Sequence, residues 1–194
     1  MNQKAGKGKI IVLSAPSGSG KSTIIRELIK DPSLHLGFSI SATSRQPRGE
    51  EKHGKEYFFF TEEEFMRNVE EGNFVEWEEV YPGVCYGTLE SEVNRITESG
   101  HNLIMDVDVK GALNIKKRFG RDAVTIFIMP PDKKTLEERL KNRGTDSEET
   151  IKKRLQKSEY ELSFSNQFDH IVINDDLKDA VSKVENTIKE FISK

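Results

Sequence analysis

Four short apolar runs, KIIVLS (Lys9 to Ser14), HNLIMDV (His101 to Val107), AVTIFIM (Ala123 to Met129) and HIVIN (His170 to Asn174), are each followed within a few residues by a helical pattern. The helix candidates cover Lys21 to Lys30, Val109 to Arg118, Lys133 to Lys141 and Leu177 to Ile192. Apolar strands separated by helical crossovers are the signature of a parallel sheet covered by helices, so the chain reads as α/β. Its 194 residues suffice for one domain with a good core and small inserted lobes, but not for two large domains. Between Phe38 and Thr88 the pattern changes. EYFFF, FVEWEEVY and VCYGT are strand-like but separated by turns or one short helix, which predicts a small, mostly antiparallel lobe. The helix of that lobe is expected to open on a capping box, Thr61 with Glu64, and to stop before Gly72. A later helix ends at Gly144, and TDSEE opens the next with Thr145 and Glu148 spaced for a second capping box, so that Gly144 can serve as a hinge.

The first of these strand–helix junctions carries LSAPSGSGKSTI, Leu13 to Ile24. Small residues and glycines let the backbone curl until several N–H groups point at one spot, and a lysine just beyond adds a mobile positive charge. The stretch matches G-x-x-x-x-G-K-[ST] at every fixed position but the first, where Ala15 replaces glycine. In a loop built from Ala15, Pro16, Ser17, Gly18, Ser19 and Gly20, running into Lys21, Ser22 and Thr23, the backbone amides from Ser17 to Ser22 would wrap the β-phosphate of a nucleotide at a helix N-terminus. Lys21 would bridge the β- and γ-phosphates, and the Ser22 hydroxyl would ligate Mg²⁺. Asp106 ends the apolar strand NLIM, where it is either the carboxylate that holds Mg²⁺ beside such a loop or a cap at a strand end. These parts imply an ATP or GTP site without naming the reaction.

Composition removes other classes. Thirty Lys and Arg against 33 Asp and Glu give a formal net charge of -3, without the basic excess of a general nucleic-acid binder. A single cysteine, Cys85, permits no internal disulfide and suits a reducing compartment, where it is expected to pack as a small hydrophobe. MNQKAGKGK has no apolar core for a signal peptide, and no apolar run approaches the ~20 residues that span a bilayer. A cytoplasmic protein without nucleic-acid or membrane partners is the expectation; the oligomeric state is not legible.

A second anion site is suggested by SISATSRQPRGEEKHGKEYFF, where Arg45 and Arg48 flank a proline and Tyr57 follows. The proline prevents a regular helix and holds the chain extended or turned, so that both guanidinium groups can face one dianionic phosphate; a solvated basic loop satisfies the same pattern. Strand alternation in FVEWEEV places Glu76 on the face of Phe74, Glu78 and Val80, with Val75 and Trp77 opposite. Arg139 and Arg143 lie four apart on a helix, and Arg154 follows Gly144. Like charges at that spacing repel unless an anion lies between them.

Taken together, SATSRQPRGEEKHGKEY, FVEW, YGT, DVDVKG and RLKNRGTDSEETIKKRL, spaced behind the phosphate loop, resemble the guanylate kinases, which move the γ-phosphoryl group of ATP onto GMP in purine nucleotide metabolism. The resemblance runs from about Lys7 to about Ile192. It implies a three-layer P-loop core with a central parallel sheet (about 7–39, 89–138 and 155–194), a GMP-binding lobe (about 40–88) and a helical lid (about 139–154). It places the GMP phosphate on Arg45, Arg48, Tyr57 and Tyr86, and guanine on Ser41, Glu76, Thr88 and Asp108. Lys21, Arg45, Arg139, Arg143 and Arg154 become the charge-stabilising catalytic set, with ATP as co-substrate, Mg²⁺ on Ser22 and Asp106, and Asn174 a candidate adenine contact by position. Mutual repulsion among the lobe and lid arginines implies a lid that is open until nucleotides supply negative charge. Two alternatives have recognisable marks. A non-catalytic interaction module of this fold is expected to have a degraded phosphate loop, and a kinase for another phosphorylated acceptor to lack Ser41, Glu76 and Asp108.

Overall fold

The structure is a computed structural model and describes residues 6–142 and 147–194. In chain order its main elements are β1 (Ile10–Ser14), α1 (Lys21–Leu28), β2 (Leu36–Phe38), β3 (Ala42–Thr43), β4 (Phe58–Phe59), α2 (Glu62–Glu70), β5 (Phe74–Tyr81) and β6 (Val84–Leu89). There follow α3 (Glu90–Glu98), β7 (Asn102–Asp106), α4 (Val109–Phe119), β8 (Ala123–Met129), α5 (Lys133–Asn142), α6 (Glu148–Leu162), β9 (His170–Ile173) and α7 (Leu177–Ile192). The expected α/β layout is present: a parallel five-stranded sheet in the order β2-β7-β1-β8-β9 and a separate four-stranded sheet in the order β4-β3-β6-β5. Ile11, Val12 and Leu13 are fully buried in succession, as are Ile126, Phe127 and Ile128. Because successive strand residues point to opposite faces, burial of every one requires cover on both.

The chain divides into two compact units. One is Ile11–Leu36 with Met105–Lys194. There α7 buries Ala180, Val184 and Ile188, four residues apart and therefore one stripe of the helix. Leu136 and Leu140 of α5 pack with Ile151 and Leu155 of α6. The other unit is Gly37–Ile104 with the segment ending at Ile10. Its small sheet is mostly antiparallel as expected, β6 pairing antiparallel with β3 and β5, while β3 and β4 run parallel. Its core is Ala42, Phe65, Phe74 and Cys85, with the Phe65 and Phe74 rings stacked at 4.4 Å. Burial pushes the Cys85 thiol above its ordinary pKa, in keeping with a packed hydrophobe.

Local signals that need only a few residues are realised. Thr61 Oγ1 accepts from Glu64 N at 3.1 Å, and the Glu64 carboxylate accepts from Thr61 N at 2.9 Å. At the other end Gly72, at φ +72°, closes the helix while Gly72 N and Asn73 N return to the carbonyls of Val69 and Asn68.

Three expectations change. The short edge strand β2, whose three residues are too few to show a period, and the nine-residue helix α3 add to the elements expected from sequence. The cap of α6 is Ser147, whose Oγ accepts from Thr150 N at 3.3 Å, because Ser147 directly precedes the first helical residue. Thr145, Gly144 and Arg143 lie outside the described residues. Finally, strict alternation in β5 fails. Phe74 pairs with Leu89 but Glu76 with Thr88, so two residues oppose one across a bulge, and Phe74 and Val75 are both buried.

Candidate active site

The phosphate loop leaves β1 at Ser14 and enters α1 at Lys21. Gly18 and Gly20 adopt φ of +95° and +90°, a region that L side chains rarely occupy. Space reinforces the requirement at Gly20, where an added Cβ would stand 2.3 Å from the Asn174 amide nitrogen. That nitrogen is buried and donates to Ser19 O at 2.7 Å, so Asn174, just after β9, braces the loop from beneath. Within the loop Ser19 N returns to Pro16 O, and Thr23 N and Ile24 N return to Gly20 O.

The loop forms one wall of a cavity of about 350 Å³ whose other wall includes Asp106, Val107, Asp108 and Glu161. Lys21 projects into it and forms an ion pair with Asp106, with a second, longer contact of 3.4 Å from Nζ to Val107 O. Asp108 caps α4, accepting from Gly111 N at 2.6 Å. Arg154, on α6, donates from Nη1 to Ser17 Oγ at 2.7 Å. The open lid expected of the empty protein is therefore not open at this residue, because the Ser17 hydroxyl itself accepts the guanidinium. Arg139 points elsewhere. Its Nη2 reaches Asp175 O at 3.5 Å, and its buried Nη1 meets no acceptor among the described residues.

In the other unit the antiparallel pairing of β5 with β6 sets Glu76 opposite Thr88, and buried Thr88 donates from Oγ1 to Glu76 Oε1 at 2.7 Å. Arg45 follows β3. Its Nε donates to the Tyr86 hydroxyl at 3.2 Å, and its guanidinium lies 5.0 Å from the Tyr57 ring centre. The rings of Tyr57 and Tyr86 meet edge to face at 5.9 Å. Three of the four residues expected to hold one phosphate are thus assembled. Arg48 differs, since its side chain is exposed and its place is set through its backbone. Ser41 contributes its carbonyl to Phe58 N at 2.9 Å, tying β3 to β4.

One residue escaped the sequence reading. Glu51 receives Nη1 and Nη2 of Arg45 at 2.6 and 2.8 Å and Arg48 N at 2.8 Å. The Arg45 hydrogen bonds, then that from Arg48 N, lower its carboxyl from an ordinary 4.5 to about 2, and the Arg45 guanidinium is pushed still higher. The only trace in sequence is the acidic pair Glu50–Glu51 inside a basic segment.

A glycine loop at the N-terminus of α1, its lysine against the aspartate that ends β7, and a parallel sheet beneath define a P-loop nucleotide-binding protein. Comparison with known proteins narrows the class. A family model described as guanylate kinase matches residues 7–191. The chain is 53% identical to a guanylate kinase of Porphyromonas gingivalis over 96% of its length and 99% of that protein's. It is 52% identical to one of Bacteroides thetaiotaomicron (96% and 91%) and 43% identical to one of Thermotoga maritima (94% and 87%). The crystal structure of guanylate kinase from Anaplasma phagocytophilum superposes with a TM-score of 0.72 at 28% identity, covering 97% of this chain and 88% of that one. The chain belongs to the guanylate kinase family and is a phosphotransferase of the nucleoside monophosphate kinase class.

Proposed function

We propose that this phosphotransferase moves the γ-phosphoryl group of ATP onto GMP, and onto dGMP, giving ADP and the nucleoside diphosphate. The observation that carries the assignment is the intact phosphate loop with Lys21 facing Asp106 across the cavity. A non-catalytic module has no use for that arrangement.

On the donor side, amides from Ser17 to Ser22 bind the β-phosphate, and Lys21 exchanges Asp106 for the β- and γ-phosphate oxygens as ATP enters. Arg154, already beside Ser17, adds positive charge where negative charge develops on the transferring group. Arg139 and Arg143 complete the lid of about 139–154; Arg139 Nη2 lies 3.5 Å from Asp175 O. The hydroxyl of Ser22 and the carboxylate of Asp106 fit Mg²⁺, a hard cation that takes one or two protein oxygens beside substrate phosphates and water. When bound, it supplies neutralisation of phosphate charge.

On the acceptor side, guanine presents donors at N1 and N2, both of which a carboxylate can accept, whereas adenine presents an acceptor at N1. Thr88 fixes the Glu76 carboxylate for that task. Ser41 and Asp108 complete the guanine set, and Arg45, Arg48, Tyr57 and Tyr86 take the phosphate. Buried polar groups left unpaired by the wrong base give discrimination of about 10⁴-fold at sites of this kind. No protein nucleophile is required, since the phosphate oxygen of GMP attacks directly and the protein positions it and excludes water. A cytoplasmic site of action accords with the single, buried cysteine. No helix among the described residues is long and apolar enough to cross a membrane.

ADP release with Mg-ATP, compared across GMP, dGMP, AMP, CMP and UMP, tests the assignment. Fast turnover confined to GMP and dGMP is expected; equal turnover of all five sinks the guanine reading.

A further inference from the structure

The acceptor-phosphate site contains a residue with no phosphate to bind. Glu51 is acidic, yet it sits among the groups assigned to an anion, and its contacts are specific. A guanidinium has five N–H donors on a rigid plane. In Arg45 the tip edge goes to Glu51, Nη1 to Oε2 at 2.6 Å and Nη2 to Oε1 at 2.8 Å. The second Nη1 hydrogen goes to Gln46 O at 2.9 Å, and the Nε hydrogen goes to the Tyr86 hydroxyl at 3.2 Å. The fifth donor, the second hydrogen of Nη2, shares the side edge with Nε and meets no acceptor among the described residues. Because the Tyr86 oxygen accepts from Nε, its own proton is left to be given away. The side edge of Arg45 and the Tyr86 hydroxyl thus form a two-donor surface for an anion, while Glu51 occupies the edge behind it.

Glu51 also governs Arg48. Its Oε2 accepts from Arg48 N at 2.8 Å and its own N–H returns to Arg48 O at 3.1 Å, closing the turn from Arg48 to Glu51 at both ends. That turn passes through Gly49 at φ +55°. The Tyr57 and Phe59 rings, 5.0 and 5.5 Å from the guanidinium carbon, hold Arg45 on its face. One carboxylate therefore orders both arginines of the segment, one through its side chain and one through its backbone.

We propose that Glu51 is the positioning residue of the acceptor-phosphate site: it holds the tip edge of Arg45 and the turn of Arg48 so that the Arg45 side edge and the Tyr86 hydroxyl receive the phosphate of the nucleoside monophosphate. This rests on the acceptor assignment above. The cost of orienting Arg45 is met before substrate binds, and a second carboxylate-like anion at the tip is neither needed nor accommodated. Glu51 is expected to matter to the phosphate and not to the base.

Steady-state kinetics of the full chain with Mg-ATP, for the parent and Glu51→Gln, read this out. The variant keeps the shape and one acceptor but loses the charged fork. The KM for GMP is expected to rise about tenfold, the loss of one charge-assisted hydrogen bond, with kcat and the KM for ATP within about threefold. The inhibition constant of guanosine, which lacks the phosphate, is expected to stay within about twofold. A GMP KM that is unchanged or lower means that Glu51 is idle or competes with the phosphate, and overturns the inference. So does equal weakening of GMP and guanosine, which marks general damage to the lobe. Should the variant fold poorly, the Arg45 Nε–H resonance of the parent, assigned through Arg45→Lys, decides. It is expected to be resolved and to shift with GMP but not with guanosine; a signal averaged with those of exposed arginines overturns the proposal. A parent that shows no GMP-dependent ADP release overturns the acceptor assignment and this inference together. A working parent beside an unaffected variant overturns this inference alone.

Discussion

The two regions proposed to bind anions are built by different means. Around Lys21 the phosphate loop uses backbone: N–H groups gathered by two glycines at positive φ and braced by the buried amide of Asn174. Around Arg45 the lobe uses side chains: a guanidinium held by Glu51, Tyr86 and two aromatic rings. A backbone cradle is pre-organised by the chain path itself, and its donors cannot be lost by changing a side chain at most positions. A side-chain site owes its order to neighbours, any of which can be removed singly. The first is accordingly sensitive to glycine geometry and to its lysine, and the second to its supporting network.

Four changes would break or sharpen that contrast, in order of expected size. Lys21→Ala removes the loop's own lysine, and turnover is expected to fall by about 10³-fold or more, because its charge matters most as the γ-phosphoryl group detaches. The melting temperature should move little; near-normal turnover in an ADP-release assay would remove Lys21 from its role. Gly20→Ala should weaken ATP binding by about 100-fold and cost about 1–3 kcal/mol of stability, since it combines φ of +90° with a 2.3 Å approach to Asn174. Pairing it with Asn174→Ala relieves the approach but not the φ, so calorimetric binding and thermal unfolding of the double variant separate the two. If Gly20→Ala binds ATP normally, the cradle is less dependent on its backbone than described.

On the side-chain site, Glu76→Gln puts an amide donor against a guanine donor and should reduce the preference for GMP over AMP by about tenfold or more. The ratio of kcat/KM values measures it, and an undiminished ratio means that another group reads the base. The smallest effect concerns pH. The Glu51 carboxyl is lowered from 4.5 to about 2 in the folded protein, chiefly by Arg45, so its contribution to stability is fully present above about pH 4.5 and is lost as pH falls through about 2. The stability difference between the parent and Glu51→Gln, followed by denaturant unfolding, should therefore shrink across that window. A difference that is flat from pH 6 to pH 2 would show that the charged fork adds nothing.

The lobe was the harder region to foresee, and its residues show why. Arg45, Arg48 and Tyr57 were identifiable as a basic cluster, but the sequence left open whether they bind phosphate or stand in solvent. The answer depends on Tyr86, 41 residues away, and on which edge of Arg45 is already taken. Glu51 is six residues from Arg45, near enough to be noticed, yet in sequence it is one of two adjacent glutamates. Only the turn closed at Arg48 selects it. Alternation likewise mis-assigned β5, since a bulge between Phe74 and Glu76 is invisible to a period of two.

What the sequence determined by itself were features written in spacings of a few residues. These are the apolar strands, the glycine loop with its lysine, the Thr61–Glu64 box and the Gly72 stop, each a consequence of backbone sterics and short-range hydrogen bonding. What only the tertiary structure decided were pairings between distant residues. Asn174 beneath Ser19 is 155 positions away, Arg154 reaches Ser17 from 137 away, and Thr88 was set on Glu76 by the register of two strands. Such contacts depend on how whole elements pack, and many residue pairs of suitable chemistry are available to a chain of this composition. Packing chooses among them because a buried donor left without an acceptor costs free energy once water is excluded, so arrangements that pair most of these groups are favoured.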